Sequence, residues 1–86
     1  MKLALIGGGG VRAPEFVRGA LAFAADLDLQ ELWLMDVERS RLDLMASLCQ
    51  QVVDQAGKPF RLHATTDLDE ALRGAGTVVT TVRVGF

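Results

Sequence analysis

The sequence predicts a parallel α/β fold, and three observations carry that expectation. Short, almost wholly apolar runs alternate with longer stretches whose apolar residues recur every three or four positions. Four glycines follow the first run directly, and an acid closes the second. Continuous apolar runs suit strands buried on both faces, and their alternation with helices requires a parallel sheet with right-handed crossovers.

Lys2 to Ile6 ("KLALI") is the first such run. Behind the glycines, Pro14 falls where a first helical turn tolerates proline, because the N–H it lacks has no partner there anyway. Val17, Ala20, Leu21 and Ala24 then give a helix one apolar face, which "DLDLQ" ends. Leu32 to Asp36 ("LWLMD") reads as the second strand. A long helix from Glu38 to Ala56 follows, with Leu42, Met45, Cys49, Val52 and Ala56 as its inward stripe and Gly57 as its stop. Lys58-Pro59 marks a turn, and Phe60 to Thr65 the third strand. Asp67 with Glu70 three residues on is a capping pair for a short helix ending near Gly74. Thr77 to Val82 ("TVVTTV") is β-branched enough for a fourth strand. The order β-α-β-α-β-α-β is that of a Rossmann-like half domain, with the strands expected in the order 3-2-1-4.

Length and composition narrow the function classes. The chain has 86 residues, enough for one domain over 1–86, and half of them are hydrophobic. Charged residues make up 23% and the net charge is -2, with both signs mixed along the chain, so nucleic acid finds no basic stripe. No run approaches the ~20 apolar residues of a membrane span, and the first apolar stretch is too short for a secretory signal. One cysteine excludes an internal disulfide, and the cytoplasm is the expected compartment. A full doubly wound domain has three strands in each half. Four strands therefore suggest the N-terminal fragment of a longer enzyme.

The glycines carry the chemistry. A dinucleotide fingerprint needs one glycine to turn the chain, a second for close approach to pyrophosphate, and a third small residue for helix packing. Two registers fit: Gly7-x-Gly9 with Arg12 third, and Gly8-x-Gly10 with Ala13 third. The first is preferred because Gly7 comes straight after the strand. The helix that follows offers unpaired N–H groups and a partial positive charge, and Arg12 adds a full one. Asp36, ending the second strand, is placed to accept hydrogen bonds from ribose hydroxyls and to repel a 2′-phosphate, which selects NAD over NADP. The plainer alternative is a tight turn, with Asp36 merely capping the next helix.

Together, "LALIGGGGVRAPEF", "LMDVERSRL", "HATTDLDEAL" and "VVTTVRVG" resemble the N-terminal region of the 6-phospho-β-glucosidases of glycoside hydrolase family 4, nearly end to end. The resemblance implies a redox-neutral hydrolysis with bound NAD and a divalent metal, usually manganese. Hydride leaves carbon-3 of a sugar phosphate, the carbon-2 proton is removed, the aglycone is eliminated, water adds and the hydride returns. It also implies that Gly7, Gly8, Gly9, Gly10, Val11 and Arg12 form the pyrophosphate turn and that Asp36 is the ribose acid. Thr65 and Thr66 then lie near the adenine edge, and Arg83 near cofactor and substrate. No catalytic or metal-binding residue is carried over, so this stretch alone is expected to be inactive. The sequence departs from the family pattern at Gly10, where serine is common, at Gly76, which replaces an acid, and in "VERSR", which lacks a frequent proline.

Other residues have simpler readings. Cys49 on the helix stripe is a small core residue, and His63 and Trp33 belong to strand faces. Glu38, Arg39, Arg41 and Asp43 form the solvated start of a helix, although Arg41 could reach toward Asp36 or an adenosine. The rivals for function are a lactate/malate-type dehydrogenase and a non-catalytic nucleotide-binding domain. Uncovered apolar faces and a free sheet edge lead to the expectation of a homo-oligomer.

Overall fold

A computed structural model of the chain describes residues 1–81. Four parallel strands, β1 (Lys2–Ile6), β2 (Glu31–Met35), β3 (Arg61–Thr65) and β4 (Thr77–Thr80), form one sheet in the order β3-β2-β1-β4. Between them run helices α1 (Ala13–Phe23), α2 (Arg39–Gln55) and α3 (Leu68–Leu72). The α/β class and the 3-2-1-4 order are as the sequence predicts. β1 begins and ends where expected, whereas β2 both starts and ends one residue earlier, at Glu31 and Met35, so that Asp36 follows the strand. Phe60 stands just outside β3 as a buried plug. The Val82 end expected for β4 lies outside the described residues.

Pairing is in strict register, with Leu3 beside Leu32 and Leu5 beside Leu34. Paired residues of parallel strands share a face. These four leucines therefore make one apolar surface, on which α1 sets Ala13, Val17 and Ala20 and α2 sets Leu42, Met45, Cys49 and Val53. The stripe of α2 differs from the expectation at its end. Val53 is fully buried, Val52 is only half-buried and Ala56 is exposed. A helix of 3.6 residues per turn drifts, and after the step from Met45 to Cys49 a second four-residue step keeps the stripe on the sheet. Gly57 closes α2 with φ +84°, a backbone state that costs glycine little.

The opposite sheet face carries Lys2 and Trp33. Lys2 Nζ lies 4.2 Å from the centroid of the Trp33 ring and donates to the carbonyls of Glu70 and Arg73, at 2.9 and 2.7 Å, holding the end of α3. Trp33 stacks on His63 with centroids 4.5 Å apart, and its Nε1 donates to Glu31. Trp33 and His63 are thus sheet-face residues, as their alternation in the strands suggests.

Candidate functional site: a glycine turn at the sheet switch point

Strand order reverses between β1 and β4, because β2 leaves β1 on one side and β4 joins it on the other. In open parallel sheets, ligands bind beyond the carboxyl ends of the strands at such a switch point. A cleft of about 620 Å³ opens there, bounded by Gly7, Gly10, Val11, Arg12, Phe16 and Thr81.

The turn is built from β1 outward. Gly7 and Gly8 both donate their N–H to the carbonyl of Met35, at 2.7 and 2.8 Å, so strand pairing continues into the loop. Gly7 then takes φ +96°, the sharp exit that favours glycine. Gly10 N–H closes the turn on the Gly7 carbonyl at 3.0 Å, and Ala13 N–H follows on the Gly10 carbonyl at 3.0 Å.

Each glycine meets a different neighbour. A Cβ on Gly8 would lie 2.6 Å from Leu34 Cβ and 2.9 Å from its Cα, so a side chain there would collide with β2. One on Gly9 would lie 2.8 Å from Asp36 Oδ2. One on Gly10 would meet only the Gly7 carbonyl, at 3.3 Å. Gly8 and Gly9 are therefore small because the turn lies against β2 and Asp36, a reason distinct from the ligand approach inferred from the motif. Ala13, the third small position of the second register, is buried at the start of α1, while Arg12 is exposed. The geometry takes its turning residue from one register and its packing residue from the other.

Asp36 sits beneath the turn. Gly9 N–H donates to its Oδ2 at 3.1 Å and Glu38 N–H to its Oδ1 at 3.0 Å, and the residue is 3% exposed. The acid therefore holds the bend that leads into α2 without capping the helix, whose N-cap Glu38 makes no side-chain cap bond, and it also pins the glycine turn. Its own N–H donates to the Thr65 carbonyl at 3.3 Å, tying β3 into the same layer.

The predicted site residues fall into four groups. Gly7, Gly10, Val11 and Arg12 line the cleft together with Arg41 from α2, while Gly8, Gly9 and Asp36 support it from below. Thr65 and Thr66 lie at the end of β3, two strands from β1. The buried Thr65 hydroxyl accepts from Asp67 N–H at 3.0 Å and Thr66 is exposed. Arg83 lies outside the described residues. Sequence reasoning did not single out Thr81, Glu15 or Phe16, all of which border the cleft.

Cys49 is fully buried on α2, and burial pushes its thiol up to about 11, against a smaller opposing pull from Arg18. A thiol that stays protonated at neutral pH is an inert core group. Among the described residues, no three His, Cys, Asp or Glu side chains come together in a way that could hold a metal ion. No helix among them is long and apolar enough to cross a membrane.

A parallel sheet with this order, a glycine turn between first strand and first helix, and an acid directly after the second strand define the class of dinucleotide-binding α/β folds. Within that class the chain belongs to glycosyl hydrolase family 4, whose sequence pattern matches residues 2–86. The 6-phospho-beta-glucosidase of Escherichia coli is 42% identical over 87 residues, covering 99% of this chain and 19% of the relative. A probable 6-phospho-beta-glucosidase of Bacillus subtilis is 37% identical over 88 residues, covering 100% and 20%. Among solved structures, a 6-phospho-alpha-glucosidase from gut microorganisms, in complex with NAD and glucose-6-phosphate, superimposes with a TM-score of 0.92 at 27% identity. That match covers 100% of this chain and 20% of the other. The chain thus spans about a fifth of the length of the curated relatives it matches.

Proposed function

We propose that residues 1–86 are the NAD-binding part of a 6-phospho-β-glucosidase that cleaves 6-phospho-β-glucosides by the redox-neutral elimination and addition of its family. The observation that carries this reading is the glycine turn anchored on Asp36 beside the cleft at the β1/β4 switch point. The names of the two curated relatives support the β-glucoside substrate, and the complex of the gut-microbial relative supports both NAD and a sugar phosphate. The family match over residues 2–86 favours this reading over a lactate/malate-type dehydrogenase.

The residues present suit the cofactor. The turn brings Gly7 and Gly10 to the cleft wall at the start of α1, and Arg12 and Arg41 add positive charge for a pyrophosphate. Asp36, whose oxygens accept from Gly9 and Glu38 N–H, is read as the acid whose remaining lone pairs accept from the ribose hydroxyls. Thr65 and Thr66 are read as residues of the adenine edge; Arg83, which the resemblance assigns to cofactor and substrate, lies outside the described residues. When bound, NAD supplies a reversible hydride acceptor for the sugar ring. This chain's own part is to hold the pyrophosphate, fix the ribose and keep the cofactor in one orientation. Manganese, expected from the resemblance, finds no cluster of ligands among the described residues.

The proposed setting is the cytoplasm, where a lone thiol such as Cys49 persists unpaired. Self-association is proposed too, supported by the edge position of β4 and by Phe23 and Leu44, each more than half exposed. Sedimentation across a concentration series tests it, and a monomer throughout would refute it.

Titration calorimetry tests cofactor binding. NAD should bind, and NADP should bind at least about tenfold more weakly because its 2′-phosphate meets the Asp36 carboxylate. Equal affinities would remove Asp36 from the ribose site, and no heat with either would count against the function proposed.

A further inference from the structure

We infer that Thr81 is a positioning residue for the cofactor turn, a clasp by which β4 holds the Gly7 exit in its binding geometry; the inference rests on the NAD-binding reading above. Three observations converge on it. Thr81 N–H donates to the Ile6 carbonyl at 3.0 Å, which extends the β1–β4 pairing one residue past β4. Its hydroxyl lies 3.2 Å from the same carbonyl and 3.4 Å from that of Gly7, so one O–H proton is shared between the last residue of β1 and the first of the turn. A Cβ on Gly7 would collide with Thr81 Oγ1, so no larger residue fits at the exit while this threonine is in place.

The position gives the contact its meaning. Thr81 borders the cleft together with Gly7, Gly10 and Arg12, and stands where the order of strands reverses. Asp36 holds the turn from the β2 side through Gly9. Thr81 holds it from the β4 side through Gly7. The turn is thereby held from both strands that flank β1, and its backbone, with the N–H groups of Gly7 to Gly10 all bonded within the protein, presents one cleft wall before any ligand arrives. Groups fixed in advance lose less freedom on binding, and that saving is read as affinity.

Removing the hydroxyl should not unfold the chain, because both carbonyls keep backbone partners. Ile6 O still accepts from Thr81 N–H, and Gly7 O from Gly10 N–H. What is lost is restraint of the turn.

The experiment compares Thr81→Ala, Thr81→Ser and the neighbouring Thr80→Val in the 86-residue chain. Amide hydrogen exchange at Gly8, Gly9 and Gly10, measured without ligand, should speed up about fivefold or more in Thr81→Ala and stay near the parent rate in Thr81→Ser and Thr80→Val. NAD affinity should fall about five- to tenfold in Thr81→Ala and be restored by serine, with the denaturation midpoint close to the parent's in all three. Unchanged exchange in Thr81→Ala overturns the clasp, as does failure of serine to rescue it. Faster exchange with undiminished NAD affinity overturns the positioning role. If the parent chain binds no NAD, the functional reading fails, while the exchange arm still decides whether Thr81 restrains the turn.

Discussion

At the start of α3, Asp67 Oδ1 accepts from the N–H groups of Asp69 and Glu70, at 2.9 and 3.3 Å, whereas at the start of α1 the corresponding residue, Arg12, makes no side-chain capping bond. Every helix begins with N–H groups that lack an intrahelical acceptor. At α3 the chain satisfies them itself, and the result is a closed, purely structural helix start. At α1 it places a cation and a proline instead, beside the cleft at the switch point. Ala13 N–H is taken by the Gly10 carbonyl and Pro14 has no N–H, so the α1 start is closed by its own turn rather than by a side-chain cap. Arg12 brings the charge to the proposed phosphate site. The start of α2 is intermediate. Glu38 offers no side-chain cap, but its own N–H is taken by Asp36.

The contrast can be broken by experiment. The largest effect is expected at Asp36, which serves the α1 turn and the α2 start together. Asp36→Ala leaves one buried and one part-buried donor without their acceptor, and should cost about 2–4 kcal/mol in chemical denaturation. It should also abolish NAD binding by calorimetry. A variant of parental stability would show that the carboxylate does not hold the turn.

Gly8→Ala comes next. The added methyl meets the backbone of β2 at Leu34, which cannot yield as a side-chain tip would, and about 1–3 kcal/mol should be lost in the same measurement. A normal denaturation midpoint would mean that the turn has room the geometry does not show.

Asp67→Ala sharpens the comparison directly. Loss of a cap should cost about 1 kcal/mol while leaving NAD affinity as it was. A fall in affinity would mean that the two helix starts are coupled.

The smallest effect belongs to Gly10→Ser. Its Cβ meets one carbonyl oxygen at 3.3 Å, so stability should change by no more than about 0.5 kcal/mol. A loss as large as that at Gly8 would erase the distinction drawn between the glycines.

Much of this was legible in the sequence, for reasons that are local. "KLALI" and "LWLMD" show their burial on both faces, Gly57 shows its stop, and Asp67 with its following residues shows its cap, all within a few positions of the feature concerned. The α2 stripe was legible as far as Cys49 and then slipped, because Val52 and Val53 are equally apolar and only drift around the helix separates them. At the site, the glycines and Asp36 were visible as a motif, but their contacts were not. Gly8 against Leu34, Gly9 on Asp36 and Gly7 on Thr81 join residues 26, 27 and 74 positions apart. Such pairs depend on strand order and register, which periodicity within one segment does not encode. The function of Asp36 as anchor of the turn is of this kind, and so is the whole of Thr81.

The distance in sequence between the ends of the glycine turn and their anchors bears on when the site comes into being. Loops that long close late, since the entropy of bringing their ends together is lost before any contact repays it. The β1–β2 pair can form as soon as the first crossover folds, and Asp36 then finds Gly9 across 27 residues. Gly7 waits for Thr81, 74 residues on, after every other strand has been laid down. On refolding, Trp33 on β2 should therefore report a sheet before the chain can take up nucleotide, and competence to bind should mark the final step of assembly.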